Sequence, residues 1–187
     1  MLEIRSTGEL SSTGRTLQGF AVLYNSETRL GGFTEVIRKG AFRKSLESGA
    51  NIRALYHHQG DALLGTTKAG TLRLRDEARG LAFELDLPNT THGRDLAELV
   101  RRGDVSGCSF GFRVREGGDR WQDRGDAEYL RELLDVDLHE ITMTADPAYK
   151  DTTVALRIRQ SLEEARSLDE FVSNPLVLCR AWLETCR

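Results

Sequence analysis

The stretch LRLRDEARGLAFELDL, Leu72 to Leu87, alternates apolar and polar residues on both sides of a polar turn that ends in glycine. Leu72 and Leu74 share one face, DEARG reverses the chain, and Leu81, Phe83, Leu85 and Leu87 share one face of the returning limb. A period of two on both limbs predicts an antiparallel hairpin with one apolar face. Outward from it, TLQGFAVLYN and NIRALYHH read as strands and QGDALLG as a turn. GAFRKSLES predicts a short helix with Ala41, Phe42, Ser45 and Leu46 on its inner side. HGRDLAELVRRG predicts a helix of about three turns, with Leu96, Leu99 and Val100 at helical spacing and Gly103 at its end. A strand around VSGCSFGF follows, then a polar loop, EGGDRWQDRGDAE. A further strand pair runs through YLRELLDVDLHEITMTADPAY and TTVALRIR. The fold class is mainly β with peripheral helices.

The 187 residues are enough for one domain with a real core. Charged residues make up 29% with a net charge of -3, so the basic excess that sequence-independent nucleic-acid binding requires is missing. The opening MLEIRSTGEL lacks the basic-then-apolar layout of a signal peptide, and no apolar run approaches the roughly 20 residues that span a bilayer. A soluble cytoplasmic protein without membrane or nucleic-acid partners is expected. Cys108, Cys179 and Cys186 have neither disulfide-framework nor metal-site spacing and read as reduced thiols. Beyond about Gln160 the texture becomes charged and helical, interrupted by Pro175. Residues 1–159 therefore read as the main domain and 160–187 as a helical appendage. In the appendage, Leu162, Ala165, Leu168 and Phe171 form one apolar stripe and Leu178 with Trp182 begin another, each needing a surface to cover it.

In VSGCSFGF, alternation places Cys108 with Phe110, Phe112 and Val114, and Ser109 with Gly107 and Gly111. The thiol points to the core. The hydroxyl lies on a face stripped of side chains, which suits either a visiting peptide backbone or a closely packed neighbouring element. A serine nucleophile needs a base, and the histidines are His57, His58, His92 and His139. His92 opens a helix and reads as solvated. His57 and His58 end a strand, where adjacent side chains face opposite ways, so at most one of them serves a site. Glu140 shares a strand face with Val136 and Leu138, and a carboxylate among aliphatic residues needs a partner. Orienting a histidine would supply one.

Six islands in order, LQGFAVLYNS, EVIRKGAF, LYHHQGDALLG, RGLAFELDLPNT, GDVSGCSFGF and LHEITMTADPAY, cover about Leu17 to Ile158. Together they resemble the prohead proteases of tailed bacteriophages and gene-transfer particles, serine peptidases that cleave capsid and scaffold proteins during head maturation. The resemblance implies a herpesvirus-assemblin-like fold, a closed or nearly closed barrel of mostly antiparallel strands with helices around it. It implies Ser109, in the G-x-S-F-G-F pattern, as nucleophile. It implies His58 as base, with His57 as the alternative beside it, and Glu140, in the E-[VI]-[ST] pattern, as third member, with His139 next door as the alternative.

The implied reaction is acyl transfer without metal or organic cofactor, and backbone amides of Ala148 and Tyr149 in ADPAYK are the candidate oxyanion donors, Pro147 having none. The same turn also reads as a simple strand end. The implied partners are the major capsid protein, its scaffold-like segment and the protease itself, inside the immature head in the host cytoplasm. Self-association is left open. The alternative function is a catalytically inert assembly protein of the same fold, and a cysteine peptidase using Cys108 is a third, minor reading. Relatives of this type often carry a removable C-terminal segment, which gives the appendage a tethering role as an expectation.

Overall fold

The computed structural model describes residues 3–6, 9–13, 15–125 and 128–145. In chain order the elements are β1 (Glu3–Ser6), β2 (Glu9–Thr13), β3 (Thr16–Leu23), β4 (Glu27–Leu30) and β5 (Phe33–Ile37), then α1 (Arg43–Glu47). The chain continues through β6 (Arg53–Tyr56), β7 (Gln59–Thr66), β8 (Leu72–Asp76) and β9 (Gly80–Asp86) to α2 (Thr91–Arg102). Four strands close the described region: β10 (Gly107–Val114), β11 (Asp119–Asp123), β12 (Tyr129–Leu133) and β13 (Val136–Thr144). The expected strand TTVALRIR, the turn residues Ala148 and Tyr149, the appendage, Cys179 and Cys186 lie outside the described residues, so the boundary at 159 does too.

The β8–β9 hairpin forms in the register that alternation predicts, with Leu72 opposite Leu85, Leu74 opposite Phe83 and Asp76 opposite Leu81. It joins β2 and β3 in a sheet of order β2-β3-β9-β8. A second sheet runs β1-β10-β13-β6-β7 and a third β11-β12-β5-β4. The fold is mainly β with few helices. Pairing among the described residues leaves three open sheets, and no closing ladder joins them into the barrel expected from the resemblance. Most pairings are antiparallel, but β12 with β5 and β13 with β6 are parallel. Apolar faces of all three sheets meet in one core that includes Leu17, Phe83, Leu85, Phe110, Phe112 and Ile141. Both helices stop where the sequence says they should. Thr90 caps α2 by accepting from the Gly93 N–H, and Gly103 ends it at φ 83, a left-handed conformation that costs glycine little. In α1 the buried Ser45 accepts the Leu138 N–H at 2.9 Å, which fastens the helix to β13.

Three segments differ from the sequence reading. QGDALLG is the strand β7, not a turn: Ala62 and Leu64 are buried while Asp61 and Leu63 are exposed. The chain reverses one step earlier, at His57 and His58, because Tyr56 pairs with Gln59 across a two-residue loop. The polar loop EGGDRWQDRGDAE contains β11, which pairs with β12 and adds side-chain charge pairs to the ladder, while Trp121 packs on Phe33.

That charge centres on β12. Arg131, 5% exposed, binds Glu3 bidentately at 2.6 and 3.0 Å, Asp119 at 2.8 Å and Glu35 at 3.2 Å, with its guanidinium over the Trp121 ring. Burial works against its charge, but Glu3, Glu35 and Asp119 outweigh it and hold the guanidinium above its ordinary pKa. Next along, Glu132 faces the other way and accepts from Arg38, Arg120 and Gln122. Removing one partner of a buried ion cluster strands the others. Arg131→Leu is therefore expected to lower unfolding free energy by about 3–5 kcal/mol in urea titration, with the deficit shrinking in acid as the stranded carboxylates protonate. Hydrogen bonds first from Arg38 and then from Arg120 hold the Glu132 carboxyl below its ordinary 4.5. Its contribution is thus complete above 4.5 and lost as pH falls through the folded value. Glu132→Gln should flatten the acid limb of a melting-temperature profile below that pH while lowering stability at neutral pH.

Candidate active site

In the second sheet β10 lies between β1 and β13, and its first six residues are all buried. Cys108, Phe110 and Phe112 enter the core, where Phe110 stacks on Phe112 at 5.4 Å and meets Phe42 edge-on at 5.9 Å. Burial pushes the Cys108 thiol up to about 12, so it is protonated at neutral pH and inert as a nucleophile in this setting. Ser109 takes the opposite face at 2% exposure, as period two predicts.

Across the ladder Ser109 is opposite Thr142 and Gly111 opposite Glu140, but Phe112 is opposite Leu138. His139 is therefore an extra residue, a β-bulge, and the facing of β13 changes phase there. Val136 and Leu138 lie in the core on one side of the bulge, and Ile141 and Met143 on the other. Glu140 and Thr142 consequently share the face of Ser109 and Gly111. This corrects the expectation that Glu140 shares a face with Val136 and Leu138. It also names the occupant of the bare face. A Cβ on Gly111 would stand 2.8 Å from Glu140 Cγ, so the glycine makes room for that side chain.

Glu140 is 5% exposed and both its oxygens are engaged: Oε1 is 2.9 Å from His58 Nδ1, and Oε2 accepts from Arg53 Nη2 at 3.2 Å. Arg53 is its Cα partner on β6 and keeps nearly half of its side chain in solvent. Because an ionised carboxylate only accepts, the His58 proton in this pair sits on Nδ1, and Nε2 is left with its lone pair.

The histidine doublet is not the end of a strand. His57 and His58 have φ 50 and 57, both left-handed, as the central residues of a type I′ hairpin require. Opposite facing on a strand therefore does not choose between them. Their contacts differ: His57 is exposed with its ring 4.3 Å from Tyr56, while His58 reaches Glu140. The His57 N–H donates to the Met143 carbonyl at 3.2 Å and ties the turn to β13. His139, the bulge, has a buried Nε2 without a hydrogen-bond partner; burial first, then Arg113, lowers its pKa. His92 is exposed at the start of α2. Arg53 and Thr142 escaped the sequence reading. The one signal for them was their place in strands flanking the two islands. Among the described residues no group of three His, Cys, Asp or Glu side chains is placed to hold a metal.

The chain matches the family model of the caudovirus prohead serine proteases over residues 1–167. Among solved structures it is similar to the capsid assembly protease of bacteriophage T4, with a TM-score of 0.53 and 9% identity, over 76% of this chain and 95% of that one. At that identity the likeness is one of fold. No curated protein matches the chain significantly. With a family match that spans most of its length and a capsid protease fold around the buried serine strand, the chain belongs to the caudovirus prohead serine protease family.

Proposed function

We propose that this chain is a capsid-maturation endopeptidase in which Ser109 is the nucleophile, His58 the general base and then acid, and Glu140 the carboxylate that orients His58. The observation that carries this reading is the 2.9 Å pairing of His58 Nδ1 with a buried Glu140 that faces Gly111, two residues from Ser109 on the same strand face. Ser109 Oγ attacks the scissile carbonyl carbon while its proton passes to His58 Nε2, and the carbonyl π pair moves onto oxygen. Collapse of that oxyanion breaks the C–N bond, and the leaving nitrogen takes the proton back from His58. Glu140 fixes the tautomer and stabilises the imidazolium in between. Water then repeats the cycle on the acyl-enzyme.

The substrates in this reading are the major capsid protein and its scaffold-like segment inside the immature head, together with the protease itself. Residues 160–187 tether the enzyme to the assembling shell, and the amides of Ala148 and Tyr149 serve the oxyanion. An inert assembly protein would have no use for a carboxylate buried on the serine's face, where its charge is costly to desolvate. Incubation with the matching capsid protein, followed by mass spectrometry of the products, separates the two readings: intact capsid protein after prolonged incubation with folded enzyme rejects the protease.

Ser109→Ala and His58→Ala should each lower the cleavage rate by about 10³-fold or more, Ser109→Ala with little change in melting temperature and His58→Ala with a lower one, because it takes away one of the two partners of the buried Glu140. Glu140→Gln should lower kcat without abolishing it. His57→Gly is expected to keep activity and to raise stability by about 1 kcal/mol, because glycine relieves a left-handed residue at that turn. Wild-type rates in the His58 variant, or loss of activity at His57 instead, would reject the assignment. Cys108→Ser should remain active yet unfold more easily by about 1–3 kcal/mol, the cost of burying a hydroxyl where the thiol now packs; calorimetry beside the peptide assay checks both halves.

A further inference from the structure

Thr142 is the Cα partner of Ser109 in the β10–β13 ladder, and its side chain lies on the Ser109 face. It is 0% exposed, and its Oγ1 is buried without a hydrogen-bond partner. A buried hydroxyl left unpaired is costly, and valine would fill the same strand position without that cost. The buried hydroxyl of Ser45, by comparison, takes the Leu138 N–H. Glu140, two residues along on the same face, is bonded to His58 and Arg53 and not to Thr142. The acceptor for Thr142 has therefore to arrive from outside the resting site. Facing residues in an antiparallel pair have Cβ atoms about 4.5–5.5 Å apart, so an oxygen two bonds from Ser109 Oγ comes within reach of Thr142 Oγ1. The oxygen of a carbonyl under attack by Ser109 is such an atom. Ser109 is itself 2% exposed, so whatever admits a carbonyl to one hydroxyl presents it to the other.

We infer that Thr142 is a further catalytic residue, whose Oγ1–H donates a hydrogen bond to the oxyanion formed on Ser109. This rests on the reading of Ser109 as nucleophile. The donor is idle in the resting enzyme and engaged when the carbonyl π pair localises on oxygen, which is the condition for lowering the barrier rather than strengthening ground-state binding.

The test uses the full chain and an alkyl fluorophosphonate. Ser109 Oγ displaces fluoride, a P–O bond replaces the P–F bond, and the serine proton passes to His58, with a phosphoryl oxygen in the oxyanion position. The labelling rate and labelled residue are read by mass spectrometry for wild type, Thr142→Val and Thr142→Ser, with melting temperatures and peptide kcat and KM alongside. The expected result is labelling of wild type at Ser109, with Thr142→Val about 100-fold slower in labelling and in kcat. KM should hold and the melting temperature of Thr142→Val should not fall, since valine removes the cost of the unpaired hydroxyl, and Thr142→Ser should recover the rate to within about 5-fold, since it keeps the hydroxyl. If valine is not accommodated, Thr142→Ala against Thr142→Ser makes the same comparison. Labelling of Thr142→Val at the wild-type rate overturns the donor and leaves the nucleophile standing. Equal losses in the serine and valine variants also overturn it, since packing would then be the cause. Failure of wild type to label at Ser109 overturns the nucleophile, and the donor with it.

Discussion

One extra residue in β13 governs the arrangement of the face that carries Ser109, Gly111, Glu140 and Thr142. A strand between a core and a polar face alternates strictly, so Leu138 and Glu140 would point the same way in a regular β13. The bulge at His139 breaks that parity: Leu138 stays in the core with Phe112 opposite, and Glu140 joins Ser109 and Gly111. The disruption has to be absorbed nearby. Ser45 takes the Leu138 N–H from the side of α1, and Gly111 gives up a side chain so that Glu140 can lie across β10. A methyl group at Gly111 would move the carboxylate; a regular strand at His139 would bury it in the core, unpaired.

The two buried charge centres solve the same problem in different places. Glu140 is tolerated because His58 and Arg53 divide its oxygens. Arg131 is tolerated because three carboxylates surround it, one of them Glu3 from β1. That last pairing reaches the site through the backbone. β1 lies against β10 with Ser6 opposite Ser109, while β13 on the other side places Thr142 opposite the same residue. Arg131 fastens β1 to the third sheet through Glu3, so the serine strand is held between two strands that are each anchored elsewhere. In the proposed role of Ser109 as nucleophile such rigidity is a gain, because small misplacement of the reacting atom is expensive in rate.

What the sequence disclosed follows the physics of each segment. The β8–β9 hairpin was legible because one face is wet and one dry, and α2 because Leu96, Leu99 and Val100 recur at helical spacing and Gly103 marks its end. The split between Cys108 and Ser109 followed from alternation alone. Other elements carried no such contrast. All five residues of β5 are buried, Glu35 included, so no alternation exists to read. β11 shows no apolar alternation because Trp121 is its one large apolar residue and its partner offers Arg131 and Glu132 to the polar ones. β7 hides its period because Leu63 is an exposed leucine between buried Ala62 and Leu64. The bulge was illegible in principle: LHEIT reads equally well with either parity, and only the partner strand decides.

The departures from local preference are not scattered. His58 occupies a left-handed conformation that a side chain with a Cβ ordinarily avoids, His139 interrupts a ladder, Gly111 empties a buried position, and Thr142 buries a hydroxyl without a partner. Asn25, the left-handed non-glycine away from this region among the described residues, is of a type that tolerates the conformation. Gly111 and the bulge belong together, since the glycine makes room for the Glu140 that the bulge turns onto its face. In the proposed active site, the convergence of these departures on the face of Ser109 is local strain held for function. The fold supplies the means to hold them: β10 paired on both edges, its apolar side locked by Phe110 and Phe112, and the turn bearing His58 tied to β13 through the His57 N–H.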